Sequence, residues 1–446
     1  MNFKTKYFAA LMPAVLAFSP AGATRMPIDT PREMPLTLAQ VWQKVETNSR
    51  AVQIKQLKIE SSAEAIKDAK AERLPDLDIS GEYARVSNMP VFENGLFHTP
   101  SQFPVLHNTY TVAAGAYFNI YNGNKVNLGI DASKTENRIA GEQKKQTVSE
   151  TKLHAAAYYL DMERSLIFKQ LLLQDIAAQE KQLAQIRTLQ KNGVILKSDV
   201  LRAELKLSRQ KLSLVQLDND LAIANQKLNI LIGLPDEQRI DPVEVLKTDS
   251  GQTATYQDYL ADAGSNAYQI KISEQETELK KLQLRNIRAN VAPKIGLFAD
   301  YKYSYPQILF YPYSANLFGL GFAGVTASFD ISSFYHNKHK AKEAKLEVES
   351  QEIEHAQTAD VIRQQVNEAF LRYKEALNRV EVSKTNVKQA TENRRIVNNT
   401  YFNQLSLITD LLDADNQLLQ TKFDLAAAQI AAQLQYFQLQ NVTGKL

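Results

Sequence analysis

Two distant stretches of this chain carry the same signal. Lys197-Ser198-Asp199-Val200-Leu201-Arg202-Ala203 matches Ile408-Thr409-Asp410-Leu411-Leu412-Asp413-Ala414, and each closes one long helical pattern and opens another. Asp199 and Asp410 stand as far apart as Gly233 and Gly444, where the following helices end. Nearer the start, Leu74-Pro75 matches Ala292-Pro293, and Asn48 to Ile54 resembles Gly264 to Ile270. A period of this size means one architecture used twice. Residues 24–235 hold the first copy and 256–446 the second. Residues 236–255 connect them, with Pro235 and Pro242 marking the junction.

Each copy reads as helix, strand, loop, strand, very long helix, sharp turn, helix. The helical patterns cover roughly 36–72, 124–192 and 197–232, then 257–291, 336–402 and 408–442. They are rich in Gln, Glu, Lys, Leu and Ala, with apolar residues three and four apart. At 1.5 Å per residue the long helices reach about 100 Å and the short ones about 53 Å. Two short helices laid end to end thus match one long helix. A helix of that length needs neighbours to coil against.

The strand pairs narrow the fold further. In Lys294 to Tyr305, Leu297, Tyr301 and Tyr303 share one face, and Asp300, Lys302 and Ser304 the other. In the partner strand, Phe318, Leu320 and Phe322 alternate with Gly319, Gly321 and Ala323. In the first copy Leu77, Ile79 and Tyr83 alternate with Asp78, Ser80 and Glu82, and Tyr110, Val112, Phe118 and Ile120 mark the partner. Strands of about ten residues, apolar on one side and polar on the other, suit a lipid-facing barrel. The expected lipid face is therefore Leu297, Tyr301 and Tyr303 together with Phe318, Leu320 and Phe322. Four strands cannot close such a barrel, and open edges are not tolerated in hydrocarbon. Several chains must close it together.

The N-terminus reads as a secretory signal over 1–23. Lys4 and Lys6 precede an apolar stretch, and Ala21-Gly22-Ala23 supplies a cleavage site. The chain has 446 residues, no cysteine and a net charge of +3 with both signs dispersed. That excludes disulfides and thiolate chemistry and gives no electrostatic reason to expect nucleic acid. No phosphate loop, nucleophile elbow or cofactor motif appears, so no catalysis and no cofactor are expected. His336 and His339 are three apart but lack a third metal ligand. Phe310, Tyr311 and Tyr313, in the second loop, could seal an outer mouth or touch a ligand.

The ordered, duplicated set resembles the TolC family of outer-membrane efflux and secretion channels. Leu36-Thr37-Leu38, Leu74-Pro75, Phe118-Asn119-Ile120-Tyr121-Asn122-Gly123 and the two helix-turn tips carry the likeness over nearly all of the chain. The resemblance implies an α+β membrane protein: a homotrimer with a 12-stranded outer-membrane barrel, continued by an α-helical tunnel across the periplasm. It implies partners as well, a periplasmic adaptor and an inner-membrane pump, with drugs, small molecules or proteins as cargo. At the tips it implies roles for named residues. Asp199 and Tyr401 fall on a hydrogen-bonded latch, with Ser198 a further participant, and Asp410 and Asp413 on the ring of the constriction. Ser406 stands where an Arg would complete a second link, and Gln404 where the turn expects Gly. From the residues alone, N-capping suits Asp199 and Asp410 equally well.

Two other readings compete. A periplasmic adaptor would carry lipoyl-like and barrel domains between its helical arms. A structural coiled-coil protein of the envelope would not need two-faced strand pairs at matching places in both copies.

Overall fold

The computed structural model describes residues 33–243, 254–307 and 314–446. The secretory-signal stretch, half of the connector and the aromatic loop residues 310, 311 and 313 lie outside those residues. In the first copy, β1 (Met34–Leu36), α1 (Leu38–Asn48) and α2 (Arg50–Ala71) lead to β2 (Asp76–Arg85). A small loop hairpin follows, β3 (Met89–Val91) with β4 (Ser101–Phe103), and then β5 (Asn108–Tyr121). The helices α3 (Lys125–Lys191) and α4 (Lys197–Ile232) complete the copy, and β6 (Ile240–Pro242) follows in the connector. The second copy runs α5 (Tyr256–Asn266), α6 (Tyr268–Arg288), β7 (Lys294–Tyr305), β8 (Phe318–Ser328), α7 (Ser333–Phe402) and α8 (Ile408–Val442).

The first helix of each copy is broken where one continuous helix was expected. Ser49 and Ala267 both take extended backbone, at ψ 126° and 123°, between two helical pieces. The break lets α1 turn inward and bury Val41 and Val45 against Tyr159 and Met162 of α3 and Leu228 and Ile232 of α4, while α2 continues along α3. Tyr159 secures the junction by donating to the Leu36 carbonyl at 3.0 Å. The motif at Leu36-Thr37-Leu38 has a local cause too: Thr37 caps α1 in a reciprocal box with Gln40, as Thr255 caps α5 with Asp258. These caps, breaks and prolines align the copies with Asn48 opposite Asn266, two residues away from the match expected from sequence. Another feature not foreseen is the parallel pairing of β1 with β6, which ties the connector back to the chain start.

Strands from both copies form one antiparallel sheet in the order β2-β5-β7-β8. Directly paired residues of an antiparallel ladder point to the same side. Leu297 pairs with Phe118 and Val325, Tyr301 with Ala114 and Gly321, and Tyr303 with Val112 and Gly319. One face therefore carries Leu77, Ile79, Val112, Phe118, Leu297, Tyr301 and Tyr303. On β8 it carries only small residues and Val325, and the β7 tyrosines lie over the glycines. A Cβ at Gly319 would come within 2.6 Å of the Tyr301 hydroxyl.

The other face carries Asp78, Asp300, Lys302 and Ser304, and on it stand Phe318, Leu320 and Phe322, paired with Ser304, Lys302 and Asp300. The six residues expected to share one lipid face are thus divided three and three. Alternation fixes which residues of a strand go together but not which side they take; register decides that.

Below the sheet, α3 packs on α4 and on α8, and α7 packs on α8. One buried carboxylate joins all four. Asp415 of α8 accepts from Gln179 and Gln182 of α3 at 3.0 and 3.2 Å and from Arg394 of α7 at 3.0 Å. Lys206 of α4 lies 3.4 Å away and also donates to the Leu412 carbonyl. Burial alone would raise the Asp415 carboxyl, but Lys206, Gln179 and Arg394 outweigh it and hold the group below its ordinary value. The same burial lowers Lys206, so the pair is ionic while both remain charged. Nearby Asp175 is raised, chiefly by burial.

At the tips both hairpins turn through a left-handed residue. Gly193 has φ 75° and Gln404 φ 63°, and the amides of Val194 and Leu405 return to the carbonyls of Leu189 and Thr400. A side chain in that region costs about 1–2 kcal/mol, part of it offset by the greater freedom of an unfolded glycine.

Gln404→Gly should therefore stabilise the tip by about 0.5–1 kcal/mol, and Gly193→Ala should destabilise it by a similar amount. Denaturant midpoints of the purified protein that move in the same direction for both would refute this. Asp415→Ala, which strands Lys206, should cost about 3 kcal/mol, whereas Asp415→Leu with Lys206→Met should recover much of the loss. Because the folded Asp415 pKa is lowered, its contribution is complete above the ordinary carboxylate range and disappears as pH falls through the folded value. Denaturant titrations at neutral and acid pH check both statements: the penalty of Asp415→Ala should shrink in acid.

Candidate functional site

The tip is built where α3 passes into α4 and α7 into α8. Ile186, Val200, Tyr401, Ile408 and Leu411 form its buried core, which fixes the direction of the first turn of α4 and of α8. Asp410 and Asp413, three apart on that first stretch of α8, share an exposed face. Asp410 also reaches back to its own helix start, accepting from the Leu407 amide at 3.0 Å. Capping and an exposed charge are thus combined in one residue. Asp413 has no such tie among the described residues, and no cation pairs with either carboxylate there.

Asp199 occupies the corresponding place on α4 but behaves differently. It is half-buried and takes the Ser198 hydroxyl at 3.4 Å, with no bond from its side chain to the helix start. Tyr401 is buried, and its hydroxyl has no hydrogen-bond partner among the described residues. Burial first, and the Asp199 carboxylate second, push the Tyr401 phenol above its ordinary value. The structure therefore brings Asp199 and Tyr401 into electrostatic range without the hydrogen bond expected between them. Ser406 accepts from the Thr400 hydroxyl across the turn at 3.2 Å and makes no link elsewhere among the described residues.

Asp415 was not singled out from sequence, although a signal is present. It falls four residues after Leu411 and seven after Ile408, on the buried stripe of α8, where an acid is costly without partners. The acid at the matching place in the first copy, Glu204, is half-buried and pairs with Arg187 at 2.6 Å. The sheet contributes the other half of the site: a polar face with Asp78 and Asp300 flanking Gly115, where a Cβ would come within 2.5 and 3.1 Å of their carboxylate oxygens.

Residues 41–234 match the family model described as outer membrane efflux protein. No curated protein matches the chain in sequence. Among solved structures, the fold is similar to the outer membrane protein VceC from Vibrio cholerae, at a TM-score of 0.72 and 16% identity over 91% of this chain and 96% of that one. It is similar to the CmeC outer membrane channel of Campylobacter jejuni, at 0.73 and 12% over 92% and 85%. It is also similar to the open state of the MtrE outer membrane channel of Neisseria gonorrhoeae, at 0.72 and 16% over 91% and 88%. The outer membrane efflux protein model thus matches the first copy, and both copies are folded as in these outer-membrane channels.

Proposed function

We propose that three copies of this chain form one closed barrel and one helical tunnel, a passive conduit for export that docks at its tip to a periplasmic adaptor and an inner-membrane pump. The observation that carries the reading is the sheet's pair of free edges. With four alternating strands, β2 and β8 run in opposite directions. The β8 of one copy can therefore continue antiparallel into the β2 of the next, and three copies close twelve strands. The helices support the same arrangement. Exposed Leu205 and Leu212 on α4, and Leu346 and Ile353 on α7, recur seven apart on the flanks not covered within the chain. Exposed Val194, Leu196, Leu405 and Leu407 at the two tips offer apolar contacts for an adaptor.

In this assembly the face of Leu297, Tyr301 and Tyr303 meets lipid, and the face of Asp300 and Lys302 meets water, together with Phe318, Leu320 and Phe322. Six carboxylates from Asp410 and Asp413 ring the entrance under threefold symmetry. Tyr401, Asp199 and Ser198 lie beside it, where a small shift of α7 against α4 would complete a latch. Fixed like charges in a narrow passage concentrate counter-ions far more than the same charges on an open surface.

Leu297→Arg should lower the yield of assembled trimer, since a charge on the lipid face costs about 2–4 kcal/mol at the midplane and is present in every copy. Lys302→Glu and Phe322→Arg should leave assembly intact. Unheated gels decide this, and a trimer loss for Phe322→Arg equal to that for Leu297→Arg would reverse the face assignment. For the entrance, multivalent cations added from the periplasmic side should block conductance in planar bilayers, and Asp410→Asn with Asp413→Asn should relieve the block. Block of the double variant at the wild-type cation concentration would place the carboxylates away from the passage.

A further inference from the structure

Where the sheet passes into the long helices, three lysines from three segments surround one cavity. Lys125 opens α3 directly after β5, Lys294 opens β7, and Lys340 lies in the first turns of α7. Together with Asn290, His336 and Asn337 they line a cavity of about 470 Å³. Charged side chains elsewhere on these helices find partners close by, as Lys134 does with Asp131 and Lys345 with Glu349. Among the described residues no carboxylate pairs with Lys125, Lys294 or Lys340.

Asp330 is the single acid on the lining, and its carboxylate is drawn into the turn before α7 by the Ser332 amide at 3.0 Å and the Ser332 hydroxyl. The wall is fixed rather than fluid. Asn290 donates to Asn337 at 2.9 Å, and Asn337, which is buried, donates to the Ile287 carbonyl at 2.8 Å. Both long helices begin on this lining, at Lys125 and Ser333, so the positive ends of two helix dipoles add to the charge. Partial burial, and then Lys294, lower the Lys125 ammonium from its ordinary value. Unpaired cations crowded together at a built wall are stabilised by an anion that several of them can reach.

We propose that this cavity binds a phosphate group, whose several oxygens suit ammonium donors arriving from β7, α3 and α7. Lys294 lies on the polar side of the sheet, because it pairs with Ser328 on the face of Asp300 and Lys302. The phosphate can come from a solute in the water-filled interior. It can also come from a phospholipid headgroup at the membrane boundary, a source that rests on the barrel reading above.

The test uses the full-length assembled protein with two probes. Inorganic phosphate is titrated in detergent and followed by phosphorus resonance broadening. Retention of phosphatidylglycerol is followed by mass spectrometry after exposure to vesicles with and without that lipid in phosphatidylcholine. Lys340→Gln, on an exposed helical position, should weaken binding about tenfold, and Lys125→Gln with Lys340→Gln further, since each removes a charge-assisted contact. Lys302→Gln, on the same face but off the lining, should have no effect. Loss of phosphate binding in the lining variants identifies a solute site, and loss of lipid retention identifies a headgroup site; either supports the proposal. It is overturned if wild type binds neither probe, if the lining variants bind as wild type does, or if Lys302→Gln weakens binding equally. Because binding is read on isolated protein, an absence of channel activity would count against the conduit and not against this cavity.

Discussion

Along the outer edges of β2 and β8 run two rows of backbone amides and carbonyls that pair with no other strand among the described residues. In water such edges are a hazard for aggregation; in hydrocarbon they are prohibitive, because each unsatisfied group costs several kcal/mol, on the order of a lost hydrogen bond in an apolar solvent. Much of the remaining architecture follows from satisfying them. An even number of alternating strands makes the two edges antiparallel to each other, so repetition of the chain closes the sheet without a special terminal strand. The duplication then places equivalent helices under both halves of the sheet. Their apolar flanks on α4 and α7 fall where neighbouring copies would meet.

The helices and the strand positions were legible in the sequence because they depend on local periodicity. α8 begins at Ile408 as its pattern indicated, and β7 spans Lys294–Tyr305 as the alternation did. The breaks at Ser49 and Ala267 were not legible, since their cause is tertiary. Val41 and Val45 can reach Tyr159 only if the helix stops and turns. The phase of β8 was hidden for a similar reason. Its alternation is strong, but with Phe318, Leu320 and Phe322 the natural inference is a face shared with Leu297, and only the register shows that they share one with Lys302 and Asp300 instead.

The tip shows what resemblance conveys and what it leaves to local chemistry. Asp410 and Asp199 occupy matching places, yet one holds its own helix start and the other leans toward a buried tyrosine. Identical positions in a duplicated chain need not keep identical jobs once their neighbours differ. The phenol of Tyr401, enclosed and unsatisfied, is a small energetic debt in the isolated protomer.

Asp415 and Glu204 extend that divergence to the mechanics of the tunnel. Around Asp415 all four long helices of the protomer are bound into one joint, while Glu204, among the described residues, reaches only Arg187 across its own hairpin. A ring of six outwardly alike hairpins would thus alternate between stiff junctions and compliant seams. Under load such a ring does not dilate uniformly, as an iris with six equal blades would. In the proposed trimer it would hinge at the three seams between protomers, and whole protomers would swing as units. The symmetry of opening would then be set by one aspartate whose place in the first copy is taken by Glu204.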